Sequence, residues 1–428
     1  MTPGRPAETL DIVIAGAGIG GAAAALALRR AGHAVTVLER ATELAPVGAG
    51  IQMAPNATRI LARWGAASAL APSAIVPQRV IRRSWDDGRV LGERPLGDAV
   101  QARYGAPFWH VHRADLHAAL VAAATSPDGP GRPAAFRLGT EAVGVEDGGT
   151  AVVTGEGGRY EGDLVVVADG VHSRLRRRLL GDTEAASGRA RPRGVAYRAV
   201  IGADGLGADA ELASVTGPEP ALTEWLSPGV HAIHYFVSGG RLLNMAVLRY
   251  STEDDPGPES WLRESDTEEF LGLIDGWDRR LTALARKADR VFCTGVYERP
   301  PAENWIRGRA CLLGDAAHPM MPTQAQGAAQ SIEDAWFLGR VLVGAGRDGV
   351  DAALAAYQAE RLPRTAAVQR LSSVDRGKNL GQPGGGAREP FDAGPGTDDK
   401  PADFGPYEWL WPYGMNEPLD EVNTGAYS

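Results

Sequence analysis

The chain has 428 residues, of which 44% are hydrophobic and 23% charged, so it is long enough for two to three globular domains with buried cores. Lys and Arg number 44 against 53 Asp and Glu, and the resulting net charge of −9 argues against nucleic-acid binding. The N-terminus lacks a signal-peptide pattern and the apolar run from Leu10 to Leu28 is broken by glycines, so we expect a cytoplasmic protein without a membrane partner.

The chain begins with the pattern of a strand–helix–strand unit. Asp11–Ala15 is a short apolar strand, and Gly16–Gly21 is a glycine-rich turn. Ala22–Ala31 consists mostly of Ala and Leu, which predicts a helix with Gly32 as its C-terminal cap. Ala34–Leu38 is then a second strand. This order is typical of the first unit of a nucleotide-binding domain.

Gly16, Gly18 and Gly21 fit the G-x-G-x-x-G motif. In that motif the first glycine permits a tight turn, the second lets a pyrophosphate approach the backbone, and the third lets helix and strand pack closely. Glu39 follows Gly16 by 23 residues, at the end of the second strand, where a carboxylate can accept ribose hydroxyls. The pattern predicts a dinucleotide site. A second match, Gly344–Gly349, follows a helical stretch rather than a strand and is predicted to be a loop between helices.

Two Asp-Gly elements follow apolar strands further along the chain. Asp169 comes directly after the strand Leu164–Val167 and Ala168, and Asp315 comes shortly after the strand Cys311–Leu313. A carboxylate in such a position can reach the sugar hydroxyls of an extended cofactor. A long helix begins near Gly327, and its exposed amides are expected to favour negative charge. The two elements, downstream of the glycine motif, strengthen the prediction of a bound dinucleotide.

The stretch between these two elements has the pattern of antiparallel strands. Val230–Val237 is separated from the next apolar run by a Gly-Gly turn, which predicts a hairpin. Glu268–Ala288 returns to helical character. Residues 377–403 are rich in Gly, Pro and Asp and are predicted to be irregular or mobile. The aromatic cluster at 407–413 is too apolar for a free tail, so we expect it to pack onto the body or onto a partner.

Three motifs occur in a fixed order along the chain, GAGIGG with Glu39, ADGVHSRLR, and GDAAHPMMPTQAQGAAQSIEDA. Together they make the chain resemble the FAD-dependent aromatic hydroxylases, the p-hydroxybenzoate hydroxylase-like single-component flavoprotein monooxygenases. The likeness covers residues 8–375. Through GAGIQMAPNATRIL, HRADLHAAL and VHAIHYFVSGG it is nearest to the salicylate, 3-hydroxybenzoate and 6-hydroxynicotinate hydroxylases.

The resemblance implies an α/β fold, α+β overall, with a Rossmann-like FAD-binding domain and an inserted antiparallel-sheet substrate domain, followed by a helical or irregular C-terminal segment. The predicted FAD-binding domain is discontinuous. Its boundaries are 8–75, 111–190 and 291–345, those of the substrate domain are 76–110 and 191–290, the C-terminal helical segment is 346–376, and the tail with its aromatic end is 377–428.

The resemblance also implies bound FAD, with NADH or NADPH as a transient electron donor and O2 as co-substrate. The glycine motif would hold the pyrophosphate and Glu39 the adenosine ribose. The reaction implied is hydroxylation of a phenolic acid or a related hydroxylated heteroaromatic through a flavin C4a-hydroperoxide. The other implied cofactor contacts are Arg40, Gly50, Arg113, Asp169, Asp315, Gly327 and Ala328.

The strand Val230–Val237 puts His231 and Tyr235 on one face, about 13 Å apart, a span that can flank one aromatic ring. In the similar enzymes a His and a Tyr so spaced contact the ring hydroxyl and the carboxylate. The resemblance therefore implies that His231 activates the phenol and Tyr235 binds it, while a purely structural sheet histidine stays open as an alternative. Further implied substrate contacts are Gln52, Pro322 and Thr323. Some 6-hydroxynicotinate enzymes have His at the positions of Gln52 and Thr323, which argues against that substrate.

Other interpretations stay open. One is a different flavoenzyme of the same fold, a halogenase or a reductase, although Trp409-Leu-Trp411-Pro412 does not match the W-x-W-x-I-P element of halogenases. Another is an FAD-binding redox sensor without hydroxylase turnover. His318 is predicted to be structural. Cys293 and Cys311 are predicted to be buried core thiols, and no metal site is expected. A homodimer is an expectation from the family and the aromatic tail.

Overall fold

The computed structural model describes residues 8–45, 48–146, 148–181, 191–250, 263–373, 404–405 and 407–417. By their contacts these residues form two compact units. Unit 1 contains the described residues of 1–45, 116–190 and 297–373, and unit 2 contains those of 46–115, 191–296 and 374–428. Residues 48–75 therefore group with unit 2, whereas the predicted boundaries assign them to the FAD-binding domain, and the functional boundaries stay a prediction. The tail predicted for 377–403 lies outside the described residues.

Unit 1 is built on a six-stranded sheet that is parallel except at one edge. Every residue of Leu164–Val167 is fully buried, as is typical of a strand covered on both faces. In order across the sheet, the strands are Ile306–Arg307, Ala310–Leu312, Leu164–Val167, Asp11–Ala15, Ala34–Leu38 and Ala135–Arg137. A separate three-stranded sheet consists of Ala142–Val145, Ala151–Thr154 and Arg159–Glu161.

Small residues let two long helices of unit 1 pack closely. A Cβ added to Gly339 would lie 3.1 Å from the Cβ of Ala27 on the neighbouring helix. The first helix ends as predicted, with Gly32 at a φ of +95° just after its C-cap, and Gly344–Gly349 forms the predicted loop between helices. The helices of unit 1 are Ile19–Arg30, most of Arg113–Thr125, Arg174–Leu180, Gly327–Leu342 and Val350–Ser372, with short 3-10 turns at Gly314–Ala316, Pro322–Gln324 and Arg347–Gly349.

Unit 2 contains an eight-stranded sheet with the predicted hairpin near its centre. Val230–Val237 pairs antiparallel with Leu242–Tyr250, and Gly239 and Gly240 make the turn with φ values of +66° and +85°. The prediction of a hairpin is confirmed. In order across the sheet, the strands are Glu264–Ser265, Val291–Glu298, Arg191–Gly202, Leu242–Tyr250, Val230–Val237, Ala221–Ser227, Arg79–Ser84 and Val90–Pro95. A two-stranded antiparallel sheet pairs Gly50–Met53 with Trp109–His112.

The stretch Glu268–Ala288 has helical character, as predicted, and the structure divides it between two helices. They are Thr267–Gly272 and Arg279–Ala285. The helix breaks because Gly276 adopts a φ of +74° and Asp278 caps the second helix by accepting a backbone N–H two residues later at 2.8 Å. The remaining helices of unit 2 are Pro55–Arg63, Ala66–Leu70, Gly97–Tyr104, Ala210–Thr216 and Tyr407–Leu410, with a 3-10 turn at Ser238–Gly240.

The aromatic C-terminal segment, the described residues of 404–417, packs onto the rest of unit 2. The Trp411 ring is buried and its centroid lies 5.3 Å from that of Tyr104, edge to face. Arg59 donates from Nη1 to the carbonyl oxygen of Trp411 at 3.1 Å, and Arg63 donates to further carbonyls of the segment. The prediction that this cluster packs onto the body is confirmed.

The described residues also bear on membrane-spanning helices, on metal ligands and on the two cysteines. Within them, no helix is long and apolar enough to cross a membrane. No group of three His, Cys, Asp or Glu side chains is arranged to hold a metal ion in this part of the chain. Cys293 and Cys311 are buried free thiols, as predicted, and burial raises the pKa of both.

Candidate active site

The glycine turn of unit 1 places its three motif glycines in different environments. A Cβ added to Gly16, whose φ is +103°, would lie 2.5 Å from the carbonyl oxygen of Ala168. A Cβ on Gly21 would overlap the carbonyl oxygen of Gly16, so both positions exclude a larger residue. A Cβ on Gly18, the N-cap of the helix Ile19–Arg30, would meet no described atom within 4 Å. That open side leaves room for a pyrophosphate at the helix N-terminus.

Glu39 braces this turn and keeps capacity for a ligand. Its Oε2 accepts the Ala17 N–H at 2.8 Å and its Oε1 accepts the Ala41 N–H at 2.9 Å. A carboxylate offers about four lone-pair positions, so acceptor sites remain for ribose hydroxyls. His117 lies at the same turn, where its Nε2 is 2.6 Å from the Ala17 carbonyl oxygen and has a structural role. Arg40, another predicted contact, is exposed beside Glu39.

Arg176 links two of the sequence motifs. It follows the first Asp-Gly element, is buried, and donates from Nη1 to the carbonyl oxygens of Ala316 and Ala317 at 2.8 and 2.7 Å in the second. Burial lowers the pKa of Arg176 to about 10, so it stays charged at neutral pH. Because Ala168 also abuts Gly16, the three motifs form one region of unit 1. Sequence reasoning missed Arg176, which lies in an Arg-rich run whose other members are more exposed.

Asp169 acts as a helix cap. Its Oδ2 accepts the backbone N–H groups of Arg174 and Leu175 at 3.1 and 3.2 Å, at the start of the helix Arg174–Leu180. Burial raises the pKa of Asp169, against the opposing effect of a hydrogen bond from Ser173. This geometry gives Asp169 a structural task, and its predicted contact with a cofactor stays a prediction.

Asp315 lies beside the N-terminus of the long helix Gly327–Leu342. A Cβ added to Gly327 would be 3.7 Å from the Asp315 Oδ1 atom, so the two predicted cofactor residues are neighbours. Ala325 just before the helix has a φ of +51°, which costs a non-glycine residue strain and is often found at functional sites. The amides of Gly327 and Ala328 begin the helix, where its dipole favours an anionic group.

A buried network of charges supports the second Asp-Gly element. Asp334 accepts from His318 Nε2 at 2.6 Å and from the Gly314 N–H at 3.0 Å through Oδ2, and from Arg361 Nε at 2.8 Å through Oδ1. Arg361 also donates to Glu333 at 2.6 Å, and these side chains are fully buried. Burial would raise the pKa of Asp334, but the charges of His318 and Arg361 hold it below its usual value. His318 therefore has the structural role that the sequence predicts.

The strand Val230–Val237 of unit 2 carries different chemistry on its two faces. Ala232 belongs to the apolar core, and the His234 ring lies 6.4 Å from that of the buried Trp225 on the same side. Because side chains alternate along a strand, His231 and Tyr235 lie on the opposite face. Both are more than nine-tenths buried. The structure thus places the two predicted substrate residues on one face, as expected.

Tyr235 lies against the two-stranded sheet of unit 2. Gln52 forms a side-chain hydrogen bond with it, and a Cβ added to Gly50 would be 2.6 Å from its Cε2 atom. Gly50 also donates its N–H to Asn244 Oδ1 at 2.7 Å. Burial raises the pKa of Tyr235, while Arg198 and the bond with Gln52 act against that shift. Gly50, predicted as a cofactor contact, therefore packs against Tyr235 and Asn244.

Arg198 brings a positive charge to the face that carries Tyr235. The register pairs Arg198 with Ala246 and Ala246 with Ile233, so Arg198 lies in the same row as the residue between His231 and Tyr235. It donates to Thr294 Oγ1 at 2.9 Å. Burial lowers its pKa to about 10, which leaves it charged at neutral pH. The sequence alone leaves Arg198 open between contact with a substrate carboxylate and support of the sheet.

The remaining predicted residues fall in both units. Arg113 belongs to unit 2, where its N–H donates to the Ala49 carbonyl oxygen at 3.0 Å. Pro322 and Thr323 belong to unit 1. Pro322 is exposed, and the Thr323 hydroxyl donates to the Ser372 carbonyl oxygen at 2.8 Å. The Thr323 hydroxyl hydrogen is thus already used within the protein.

The residues of unit 1 fit an FAD molecule. The unobstructed Gly18 and the spare acceptor positions of Glu39 suit a pyrophosphate and a ribose, and the helix that starts at Gly327 suits an anionic ring edge. A family model described as an FAD binding domain matches residues 9–199 and 296–372. The chain belongs to this family.

Characterised relatives extend the match over nearly the whole chain. A 3-amino-4-hydroxybenzoate 2-monooxygenase of Streptomyces platensis is 36% identical over 402 residues, which is 94% of this chain and 95% of that protein. A 6-hydroxynicotinate 3-monooxygenase of Pseudomonas fluorescens is 37% identical over 363 residues, 84% of this chain and 90% of that protein. A salicylate hydroxylase substrate complex superposes with a TM-score of 0.71 at 24% identity, covering 86% of this chain and 88% of that one.

These matches confirm the predicted class. The chain is an FAD-dependent monooxygenase of the aromatic hydroxylase group, and its fold is the predicted mixed one with a Rossmann-like FAD-binding part. FAD is its cofactor, with NADH or NADPH as the donor usual for the family. The matches favour this reading over the halogenase, reductase and redox-sensor alternatives.

Proposed function

We propose that the enzyme hydroxylates an aromatic carboxylic acid that carries a ring hydroxyl, with His231 and Tyr235 in contact with the substrate. The observation that carries the proposal is the shared sheet face in unit 2. It presents an imidazole, a phenol and the guanidinium of Arg198, which match a hydroxyl and a carboxylate on one ring. The names of the relatives, which act on hydroxybenzoates and hydroxynicotinate, support the same class.

A hydroxybenzoate, with or without an amino substituent, is favoured over 6-hydroxynicotinate. Of the two relatives described above, the 3-amino-4-hydroxybenzoate 2-monooxygenase matches the larger share of this chain and of its own length. This chain also has Gln52 and Thr323 where some 6-hydroxynicotinate enzymes have His. In the structure Gln52 bonds with Tyr235 and Thr323 bonds with a backbone carbonyl, so neither offers the acid–base chemistry of an imidazole.

Bound FAD supplies the activated oxygen, with electrons from NADH or NADPH. His231 accepts the proton of the ring hydroxyl, because an imidazole can take up a proton near neutral pH, and the ionised ring is more electron-rich at the carbon to be oxygenated. Tyr235 stays protonated because burial raises its pKa, and it donates a hydrogen bond to the substrate. Arg198 balances the carboxylate charge.

Substitution of His231 tests the proposal. We expect purified enzyme to consume NADH or NADPH with 3-amino-4-hydroxybenzoate or a simple hydroxybenzoate and to give a product heavier by one oxygen atom. His231→Gln should lower kcat by about 100-fold, the effect expected for loss of a general base. The loss should shrink as the pH approaches the range in which the free phenol ionises. Unchanged turnover in His231→Gln, or a loss that persists at high pH, would contradict the assignment.

We also propose a homodimer and a cytoplasmic location. The dimer rests on the family resemblance, and the location rests on two buried free thiols together with the use of a nicotinamide donor. Light scattering of the holoenzyme separates a dimer from a monomer. The FAD-binding boundaries 8–75, 111–190 and 291–345 likewise remain proposals.

A further inference from the structure

His110 is a buried aromatic neighbour of Tyr235 in unit 2. It lies on the strand Trp109–His112, is fully buried, and its ring centroid is 4.2 Å from that of Tyr235 with the planes 39° apart. Within the described residues, neither ring nitrogen of His110 has a hydrogen-bond partner. Burial lowers its pKa to about 3, so the ring is neutral at physiological pH. His110 therefore meets Tyr235 as an uncharged planar surface.

The backbone of His110 is fixed from both sides. Its N–H donates to the Ile75 carbonyl oxygen at 2.8 Å, and its carbonyl accepts the Ile75 N–H at 2.9 Å. On its other side it is paired with Gln52, the residue that hydrogen bonds with Tyr235. The His110 ring cannot withdraw from Tyr235 without disturbing these pairings. His110 and Gln52, which both contact Tyr235, are thus held by one small sheet.

Further aromatic rings pack behind His110. Phe108 lies edge to face on His110, with centroids 5.9 Å apart, and Trp411 of the C-terminal segment lies 5.7 Å from Phe108. Packed interiors leave few voids, so a ring backed in this way has little freedom to tilt. A row of ring contacts therefore connects the C-terminal segment to a predicted substrate residue, in the order Trp411, Phe108, His110 and Tyr235.

We propose that His110 is a positioning residue, whose ring, backed by Phe108 and Trp411, holds the Tyr235 ring where its hydroxyl reaches Gln52 and the substrate. The inference rests on the proposed role of Tyr235 in substrate binding. It adds a specificity-determining position that the motifs do not contain. It also gives the C-terminal segment a task in substrate recognition.

His234 provides a matched control. It lies on the same strand as Tyr235, is equally buried, and burial likewise lowers its pKa to about 3. It faces the opposite side of the sheet, next to Trp225. Replacing either histidine by leucine keeps the side-chain volume and removes an aromatic ring from a buried site, so a general loss of packing should affect both variants alike.

The experiment compares four holoenzyme variants, His110→Leu, His110→Phe, His234→Leu and Tyr235→Phe, together with the double variant His110→Leu/Tyr235→Phe. KM, kcat, the fraction of NADH or NADPH consumption that gives hydroxylated product, and Tm are measured with the best hydroxybenzoate. We expect His110→Leu to raise KM about tenfold and to lower the product fraction, because a small misplacement of a substrate contact is costly. His110→Phe should restore most of both, and His234→Leu should lower Tm while leaving KM within about twofold.

The double variant separates the two proposals. If His110 acts through Tyr235, the double variant should match Tyr235→Phe alone. Wild-type KM and product fraction in His110→Leu, or equal KM changes in His110→Leu and His234→Leu, would overturn the positioning role while leaving that of Tyr235 intact. Wild-type behaviour of Tyr235→Phe would instead overturn the proposed contact between Tyr235 and the substrate, and with it the inference. Failure of His110→Phe to restore KM would also count against a role for the ring.

Discussion

The two units stabilise their functional residues in different ways. In unit 1 buried charged side chains hold backbone, as Arg176 does with two carbonyls and Asp334 does with the Gly314 N–H. In unit 2 the sheet faces are divided, with an apolar core on one side and His231, Tyr235 and Arg198 on the other. Fixed backbone suits a cofactor that every turnover reuses. A face of exchangeable side chains suits a substrate that differs from one relative to the next.

The largest effect should come from the buried network of unit 1. Asp334→Ala leaves Arg361 and His318 buried without their shared carboxylate, so the free energy of unfolding should fall by about 3–5 kcal/mol. Urea unfolding of the holoenzyme measures the change, and FAD retention should fall with it. Glu264→Ala, which removes an exposed partner of Arg290, is the control and should change neither. Equal stability of the two variants would show that buried charges do not hold unit 1.

The next effect is a pH dependence that belongs to unit 2. His110 and His234 have a pKa of about 3 in the folded protein because burial opposes their charge, whereas a histidine in an unfolded chain has a pKa of about 6.5. Below the unfolded value, the unfolded chain binds protons that the folded protein does not. The free energy of unfolding should therefore fall as pH is lowered from about 6.5, by up to about 1.4 kcal/mol per pH unit for each histidine.

His234→Leu should remove one of these two contributions and so flatten the slope. Ile233→Leu, a neighbouring change without a titrating group, should leave the slope as it is. Urea titrations at several pH values below neutrality give both slopes. A slope in His234→Leu equal to that of the unmodified protein would mean that this histidine is already protonated in the fold.

The smallest effect concerns the turn of unit 1. Gly18→Ala adds a methyl that meets no described atom, so the fold should be retained, but the methyl points to the side from which a pyrophosphate would approach. We expect FAD to bind about tenfold more weakly, which corresponds to about 1.4 kcal/mol. Gly272→Ala, also without a described neighbour at its Cβ position, is the matched control in unit 2. Titration of the apoproteins with FAD, followed by fluorescence, measures the affinity. An unchanged affinity in Gly18→Ala would show that the pyrophosphate does not bind beside Gly18.

Much of unit 1 is predictable from sequence because its signals are local. Gly21 must be glycine because a Cβ there would overlap the Gly16 carbonyl oxygen, and Gly16 has a φ of +103° that favours glycine. The apolar run Leu164–Val167 identifies a strand covered on both faces. In unit 2 the period-two pattern of Val230–Val237 correctly separates the His231 side from the His234 side. These features depend on neighbours along the chain.

The residues that escaped prediction depend on distant partners. In the sequence Arg176 is one of several arginines in a charged run. The carbonyl oxygens that it binds in the folded protein lie about 140 residues further along the chain. His110 belongs to none of the sequence motifs, and its proposed role depends on the Tyr235 ring, which lies on another strand. The division of Glu268–Ala288 into two helices is different, because its signals, Gly276 and the N-cap residue Asp278, are local.

The attachment of the C-terminal segment has a consequence for the order in which the chain folds during synthesis. Arg59 finds its carbonyl partner on Trp411, 352 residues later. At ribosomal rates of 5–20 residues per second, roughly 20–70 s pass between the emergence of the two residues. During that interval Arg59 and Arg63 lack only the acceptors that the C-terminal segment supplies. Unit 2 can therefore be completed only after the residues of the C-terminal segment have been synthesised.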